Sequence, residues 1–146
     1  MYPNDAVASF ISRHFIPAKF HIKEQPQAFE RFNAMWTPTI LVLDDQGVER
    51  HRIEGFLPAD DYRAQLALGL GKAAFAAGRW GEAEEFYRSI LREQPQSDTA
   101  AEALYWAGVS KYKATQDGSA LAETGRQLNA RYPNSPWAKK GSVWAA

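Results

Sequence analysis

The stretch 36-WTPTILVLDDQGVERHRIE-54 decides the fold of this chain. Pro38 stands in a turn, because proline fixes its own φ and has no N–H to give to a sheet. The apolar run at 39–44 predicts a buried strand, and residues 48–54 predict a second one. A short Asp/Gly turn at 45–47 separates the two, which favours an antiparallel hairpin.

The composition limits the chemistry that the chain can perform. Its 146 residues include no cysteine, which excludes disulfides, thiolate metal sites and thiol–disulfide exchange by its own side chains. Seventeen basic residues balance seventeen acidic ones, so we expect no nucleic-acid partner. We also expect no membrane insertion, because no apolar run approaches the roughly 20 residues that span a bilayer. The N-terminus has no signal-peptide pattern, which predicts a cytoplasmic protein, or a periplasmic one if a signal lies upstream.

Three predicted elements precede the hairpin. Asn4 or Asp5 can cap a helix that continues to Phe15 with apolar residues at the helical period. Residues 16–23 alternate apolar and polar side chains, which predicts a strand. Residues 25–33 have the pattern of a short helix.

The chain becomes helical and alanine-rich after residue 58. Pro58 and Asp60 predict the start of a long helix that ends at Ala77, before Gly78. Further helices are predicted at 82–93, 99–115 and 119–131, with a last short one through Trp144. No linker rich in Gly, Pro or Ser separates the two halves, so one helix from about 60 to 77 is expected to belong to both.

The order of elements over residues 4 to about 68 resembles the second half of a thioredoxin fold. In that family a Thr-Pro-Thr element carries a cis proline beside the redox cysteines, and the segment after the cysteine motif is similar to residues 2–7. The resemblance implies that a central strand and a Cys-x-x-Cys turn would precede residue 1. We therefore expect a truncated thioredoxin-like lobe.

The implied central strand would lie between the strands at 16–23 and 39–44. Either these two strands pair directly, with the helix at 25–33 as their crossover, or another chain fills the gap. We predict direct pairing in a three-stranded mixed sheet. The exposed strand edges would also allow a homo-oligomer.

A shift of 37 residues aligns the helical half with itself. Gly71 meets Gly108, Ala83 meets Ala120 and Leu91 meets Leu128, while Pro95 meets Pro133 with one residue of slippage. This pattern is similar to the tetratricopeptide repeat, in which small residues stand where two helices touch and proline ends the second helix. The second copy departs from the pattern at Thr124, where a large residue is usual.

These observations give one fold class and one domain division. We predict an α+β N-terminal lobe of the truncated thioredoxin-like type, with about three strands, at residues 1–63. An all-α array of two tetratricopeptide-like repeats and a capping helix follows at 64–146. An ordinary helical bundle with chance spacing is the alternative for the second half.

Two sets of residues are candidates for peptide binding. By the thioredoxin resemblance, Trp36, Thr37 and Pro38 mark an edge that contacts an extended peptide; alternatively, Pro38 serves the turn geometry alone. The repeat register points a second set into the inner groove; alternatively, its aromatic members only pack between helices. This second set comprises Leu68, Lys72, Phe75, Tyr105, Val109, Tyr112 and Lys113.

The sequence shows no catalytic constellation. His14, His21 and His51 have no metal-ligand spacing, and no serine has a paired base, so we expect no metal and no cofactor. The favoured hypothesis is a non-catalytic interaction protein, an adaptor or co-chaperone-like binder of a protein or peptide. The alternative is a fragment of a thioredoxin-family thiol–disulfide oxidoreductase whose cysteines lie upstream of residue 1. A structural assembly subunit is a third possibility.

Overall fold

The computed structural model describes residues 4–146. Residues 2 and 3, which carry part of the resemblance to the segment after the cysteine motif, lie outside the described residues. A small two-stranded sheet and its flanking helices are followed by a helical array. In chain order the elements are α1 (Asp5–His14), α2 (Pro26–Arg31), β1 (Thr39–Leu43), β2 (Glu49–Glu54), α3 (Ala59–Ala76), α4 (Trp80–Glu93), α5 (Ala100–Thr115), α6 (Ser119–Arg131), α7 (Pro136–Gly141) and a 3₁₀ turn (Ser142–Trp144).

The predicted first helix is confirmed. Asn4 Oδ1 accepts a hydrogen bond from the Val7 amide at 3.1 Å, which satisfies one of the free donors at the start of α1. Asp5 lies in the first turn, where a negative charge interacts favourably with the positive end of the helix dipole. Val7 is 1 % exposed and packs into a core shared with the hairpin and α3.

The predicted strand at 16–23 is wrong. Ile16 is fully exposed, Phe20 and Ile22 are about half exposed, and the segment pairs with no strand in residues 4–146. Pro17 has no N–H for a ladder, and the His21 carbonyl closes a turn by accepting from the Gln25 amide at 2.8 Å. The three-stranded mixed sheet is therefore replaced by a two-stranded one.

The hairpin forms as the 36–54 stretch predicts. β1 and β2 are antiparallel, with Ile40 opposite Ile53 and Val42 opposite His51. Asp44 Oδ1 accepts from the amides of Gln46 and Val48, each at 2.9 Å. Gly47 has φ of 76°, which a residue with a side chain rarely adopts. The turn chemistry thus sets the register of the sheet.

α3 is the longest helix and runs without a break from the sheet to the first helical hairpin. Its Gly69 lies against β1, where an added Cβ would be 2.7 Å from Val42 Cγ2. The absence of a side chain lets the helix and strand approach closely. α3 covers the helix predicted at about 60–77. Its assignment to both halves and the division at residue 63 stay predictions.

The helical half is built from two successive hairpins, α3–α4 and α5–α6. Gly71 packs on the ring of Tyr87, and Gly108 packs on Thr124, so a Cβ on either glycine would overlap its partner. Tyr87 and Thr124 are 37 residues apart, which is the repeat spacing found in the sequence. Thr124 is smaller than Tyr87 and occupies the equivalent position in the second hairpin. Its Oγ1 donates to the Ala120 carbonyl at 2.7 Å.

A capping layer closes the helical array. α7 and the 3₁₀ turn pack on α6, where Gly125 lies close to the Gly141 carbonyl and Leu128 is fully buried. The predicted fold class, an α+β lobe followed by a helical repeat array, is confirmed, with two strands in place of three. Of the helices between residues 4 and 146, none has the length and apolarity that crossing a membrane requires.

Candidate functional site

The loop at 35–38 presents large apolar side chains from an anchored backbone. The Thr37–Pro38 peptide bond is cis. The Pro38 carbonyl accepts from the Gly55 amide at 2.8 Å, and Thr39 Oγ1 donates to the Trp36 carbonyl at 2.6 Å. Met35 is 86 % exposed and Trp36 is 68 % exposed. The backbone is therefore tied to the hairpin while the side chains face solvent.

Arg52 of β2 binds the chain just before this loop, a role that no sequence pattern indicates. Its Nη1 donates to the Asn33 carbonyl at 3.3 Å, and its Nη2 donates to the Phe32 carbonyl. Glu49 orients the guanidinium through contacts of 2.7 and 3.1 Å. The hydrogen bond from Arg52 lowers the pKa of Glu49, and the same pair raises the pKa of Arg52. The bonded carbonyls lie 19 and 20 residues away, so no local pattern could have indicated them.

Lys72, a predicted groove residue, lies at the junction between the hairpin and the repeats. Its Nζ is 3.1 Å from Glu102 Oε2 on α5 and 3.3 Å from His51 Nδ1 on β2. Leu68, one turn earlier, is fully buried, so its placement in the groove was wrong. The hairpin therefore packs against the part of α3 in which the groove of the first repeat would begin.

His51 joins the two halves as a neutral ring. The ammonium of Lys72 can only donate, so Nδ1 of His51 is the acceptor in their contact. The proton then resides on Nε2, which donates to Gln65 Oε1 at 2.6 Å. Burial lowers the pKa of His51, and the charge of Lys72 lowers it further. Burial also raises the pKa of the Tyr87 hydroxyl, and the charge of Glu102 raises it further.

A depression of about 220 Å³ lies at this junction. Lys72 and Phe75, two of the predicted groove residues, line it, and the hairpin contributes Glu49 and Arg50, which no sequence pattern singled out. Tyr87 and Trp106 complete the wall. The two halves of the chain therefore build this depression together.

Six half-buried aromatic residues form a continuous series of ring contacts, here called the aromatic row. Phe75 lies 5.4 Å from Trp106 between ring centroids, and Tyr105 lies 5.3 Å from Trp106. Tyr105 also stacks on Trp144 at 4.7 Å. The row consists of Phe75, Trp80, Tyr105, Trp106, Trp137 and Trp144.

The remaining predicted groove residues follow along α5. Val109 and Tyr112 are half-buried, and Lys113 is exposed with its Nζ 5.5 Å from the ring centroid of Trp80. The structure thus brings Phe75, Tyr105 and Lys113 to the aromatic row. In the described part of the chain no group of His, Cys, Asp and Glu side chains is arranged to hold a metal ion.

Comparison with protein families finds two matching segments. Residues 2–69 match the thioredoxin-like domain, and residues 65–97 match the tetratricopeptide repeat. Comparison with curated proteins and with solved structures gives no match. The chain therefore contains a thioredoxin-like match followed by one tetratricopeptide repeat match, and the two matches overlap within α3.

Proposed function

We propose that this chain is a non-catalytic interaction module, an adaptor or co-chaperone-like binder of proteins or peptides. The observation that carries the proposal is the exposure of Trp36 and Met35 on a hydrogen-bonded loop. Burial of a large apolar side chain stabilises by roughly 1.5–3 kcal/mol, and tryptophan is enriched among the residues that dominate interfaces. A fixed backbone lowers the entropy lost when a partner binds.

In this proposal Trp36, Thr37 and Pro38 form one peptide-contacting edge. The repeat half supplies a second site, formed by Phe75, Tyr105, Val109, Tyr112 and Lys113. Lys72, which pairs with Glu102 and His51, contributes to the wall of the depression at the junction with the hairpin. The proposed division into a lobe at 1–63 and a repeat region at 64–146 keeps α3 as a rigid connection.

Selection of peptides from a random display library on the immobilised chain tests the proposal. We expect a class of selected peptides whose affinity falls about tenfold or more in W36A, as for an interface residue of this kind. V143A is the matched control, because Val143 is 74 % exposed on the 3₁₀ turn, away from the loop. Recovery of no peptide above a blank support, or equal loss in W36A and V143A, would overturn the proposal.

The alternative is a part of a thiol–disulfide oxidoreductase whose cysteines lie upstream of residue 1. The thioredoxin-like match over residues 2–69 favours it. An in-frame Cys-x-x-Cys in the genomic sequence before Met1 would support this alternative. Since residues 1–146 include no cysteine, we expect them to reduce insulin at the background rate only.

A further inference from the structure

A lysine rests on a ring at each of two places along the aromatic row. Lys113 Nζ lies 5.5 Å from the Trp80 centroid, and Lys140 Nζ lies 4.0 Å from the Trp137 centroid. Trp80 contacts Phe75, Phe75 contacts Trp106, and Trp106 contacts Trp137 at 6.3 Å. The two ammonium groups are therefore connected by an unbroken series of rings.

Both lysines have their charges available. Within residues 4–146, neither Lys113 nor Lys140 forms an ion pair with a carboxylate, in contrast to Lys72, which pairs with Glu102. The electron-rich ring face orients each ammonium without neutralising it. A lysine oriented in this way loses less side-chain entropy when it pairs with a ligand.

The segment that contains both lysines, residues 99–146, also has a net positive charge. Residues 99–146 contain six basic side chains and three acidic ones, although the whole chain is balanced. Glu102 pairs with Lys72, Glu123 pairs with Arg126, and Asp117 accepts from the Ser119 amide at 2.9 Å. Glu102 and Glu123 are thus paired with cations, Asp117 keeps its charge, and the unpaired charges of the segment are mainly positive.

We propose that the aromatic row binds an acidic peptide, with carboxylate side chains on Lys113 and Lys140 and apolar side chains on the rings between them. This inference rests on the proposed function and assigns the ligand class of its repeat site. A peptide is favoured over a nucleic acid because the chain as a whole has no net positive charge. Because these pairs are solvent-exposed, each lysine contributes about a two- to fivefold change in affinity.

The test is a display selection on the full chain and on K113Q/K140Q. We expect the peptides selected by the full chain to be enriched in Asp and Glu, and to bind K113Q/K140Q about five- to tenfold more weakly. Forms of the same peptides with Asn for Asp and Gln for Glu should bind the two proteins equally. K111Q is the matched control, because Lys111 is an exposed lysine on α5 outside the aromatic row and should leave the affinity unchanged.

The outcomes separate this inference from the proposed function. Peptides that depend on Trp36 but show no acidic enrichment would overturn the inference and leave the proposed function standing. Acidic peptides that bind K113Q/K140Q and the full chain equally would also overturn it. A single-stranded oligonucleotide that competes for the row more strongly than any selected peptide would reassign the site to nucleic acid. Recovery of no peptide at all would overturn both proposals.

Discussion

Lys72 donates to Nδ1 of His51 across 3.3 Å, and this contact joins the first repeat to the hairpin. A protonated His51 would present an N–H to the ammonium of Lys72, so the contact requires the neutral ring. The charged groups that face it are Glu49 on β2, Lys72 on α3 and Glu102 on α5. We therefore expect the junction between the two halves to respond to pH.

Acidification is expected to weaken the folded state through His51. Its pKa is lowered on folding, so the unfolded chain binds more protons at mildly acidic pH. The contribution of His51 to stability is full above its ordinary pKa of about 6.5 and is lost as the pH falls through the lower folded pKa. Thermal unfolding between pH 7.5 and 5 measures this loss. H51Q retains an acceptor for Lys72 without titrating, so its Tm should fall less; an equal fall would contradict the assignment.

Much of the fold could be predicted because its signals are local. The Asp/Gly turn set the hairpin, and Asn4, Gly78 and Pro58 marked helix ends that the structure places within a few residues. The error at 16–23 has a physical cause, since alternation describes which side chains could share a face but not whether a backbone partner exists. The contacts of Arg52 and Lys72 join residues about 20 positions apart, and only the folded chain brings them together.

A double-mutant cycle on Lys72 and Glu102 should give a coupling energy of about 1 kcal/mol, because both side chains are largely shielded from water. Urea unfolding of K72M, E102Q and the double variant measures it. The pair Arg79–Glu82 is the control, because it is about half exposed and its coupling should be below about 0.5 kcal/mol. Equal coupling in the two pairs would show that the junction adds nothing beyond a surface ion pair.

Replacement of Arg52 by lysine should loosen the end of α2 and the loop at 35–38. Lysine keeps the charge but cannot bond two carbonyls and Glu49 in one plane, so we expect a loss of about 1–2 kcal/mol. Hydrogen exchange at the Ala34 amide, which donates to the Phe29 carbonyl at 2.9 Å, reports the local effect. R50K is the control, since the side chain of Arg50 bonds Asp44 at the hairpin turn. If the Ala34 amide is equally protected from exchange in R52K, Arg52 does not position this part of the chain.

Replacement of Gly71 and of Gly81 by alanine should change the stability of the protein in opposite directions. A Cβ at Gly71 would overlap the Tyr87 ring, which is fully buried between α3 and α4, so the ring or the helix pair would have to shift. We therefore expect G71A to destabilise the protein by about 1–3 kcal/mol. Gly81 lies in the first turn of α4 with open space around it, so G81A should stabilise by up to about 1 kcal/mol through the lower entropy of the unfolded chain. Urea unfolding of both variants measures the difference, and a G71A variant as stable as G81A would show that the contact between the repeat's two helices is not closely packed.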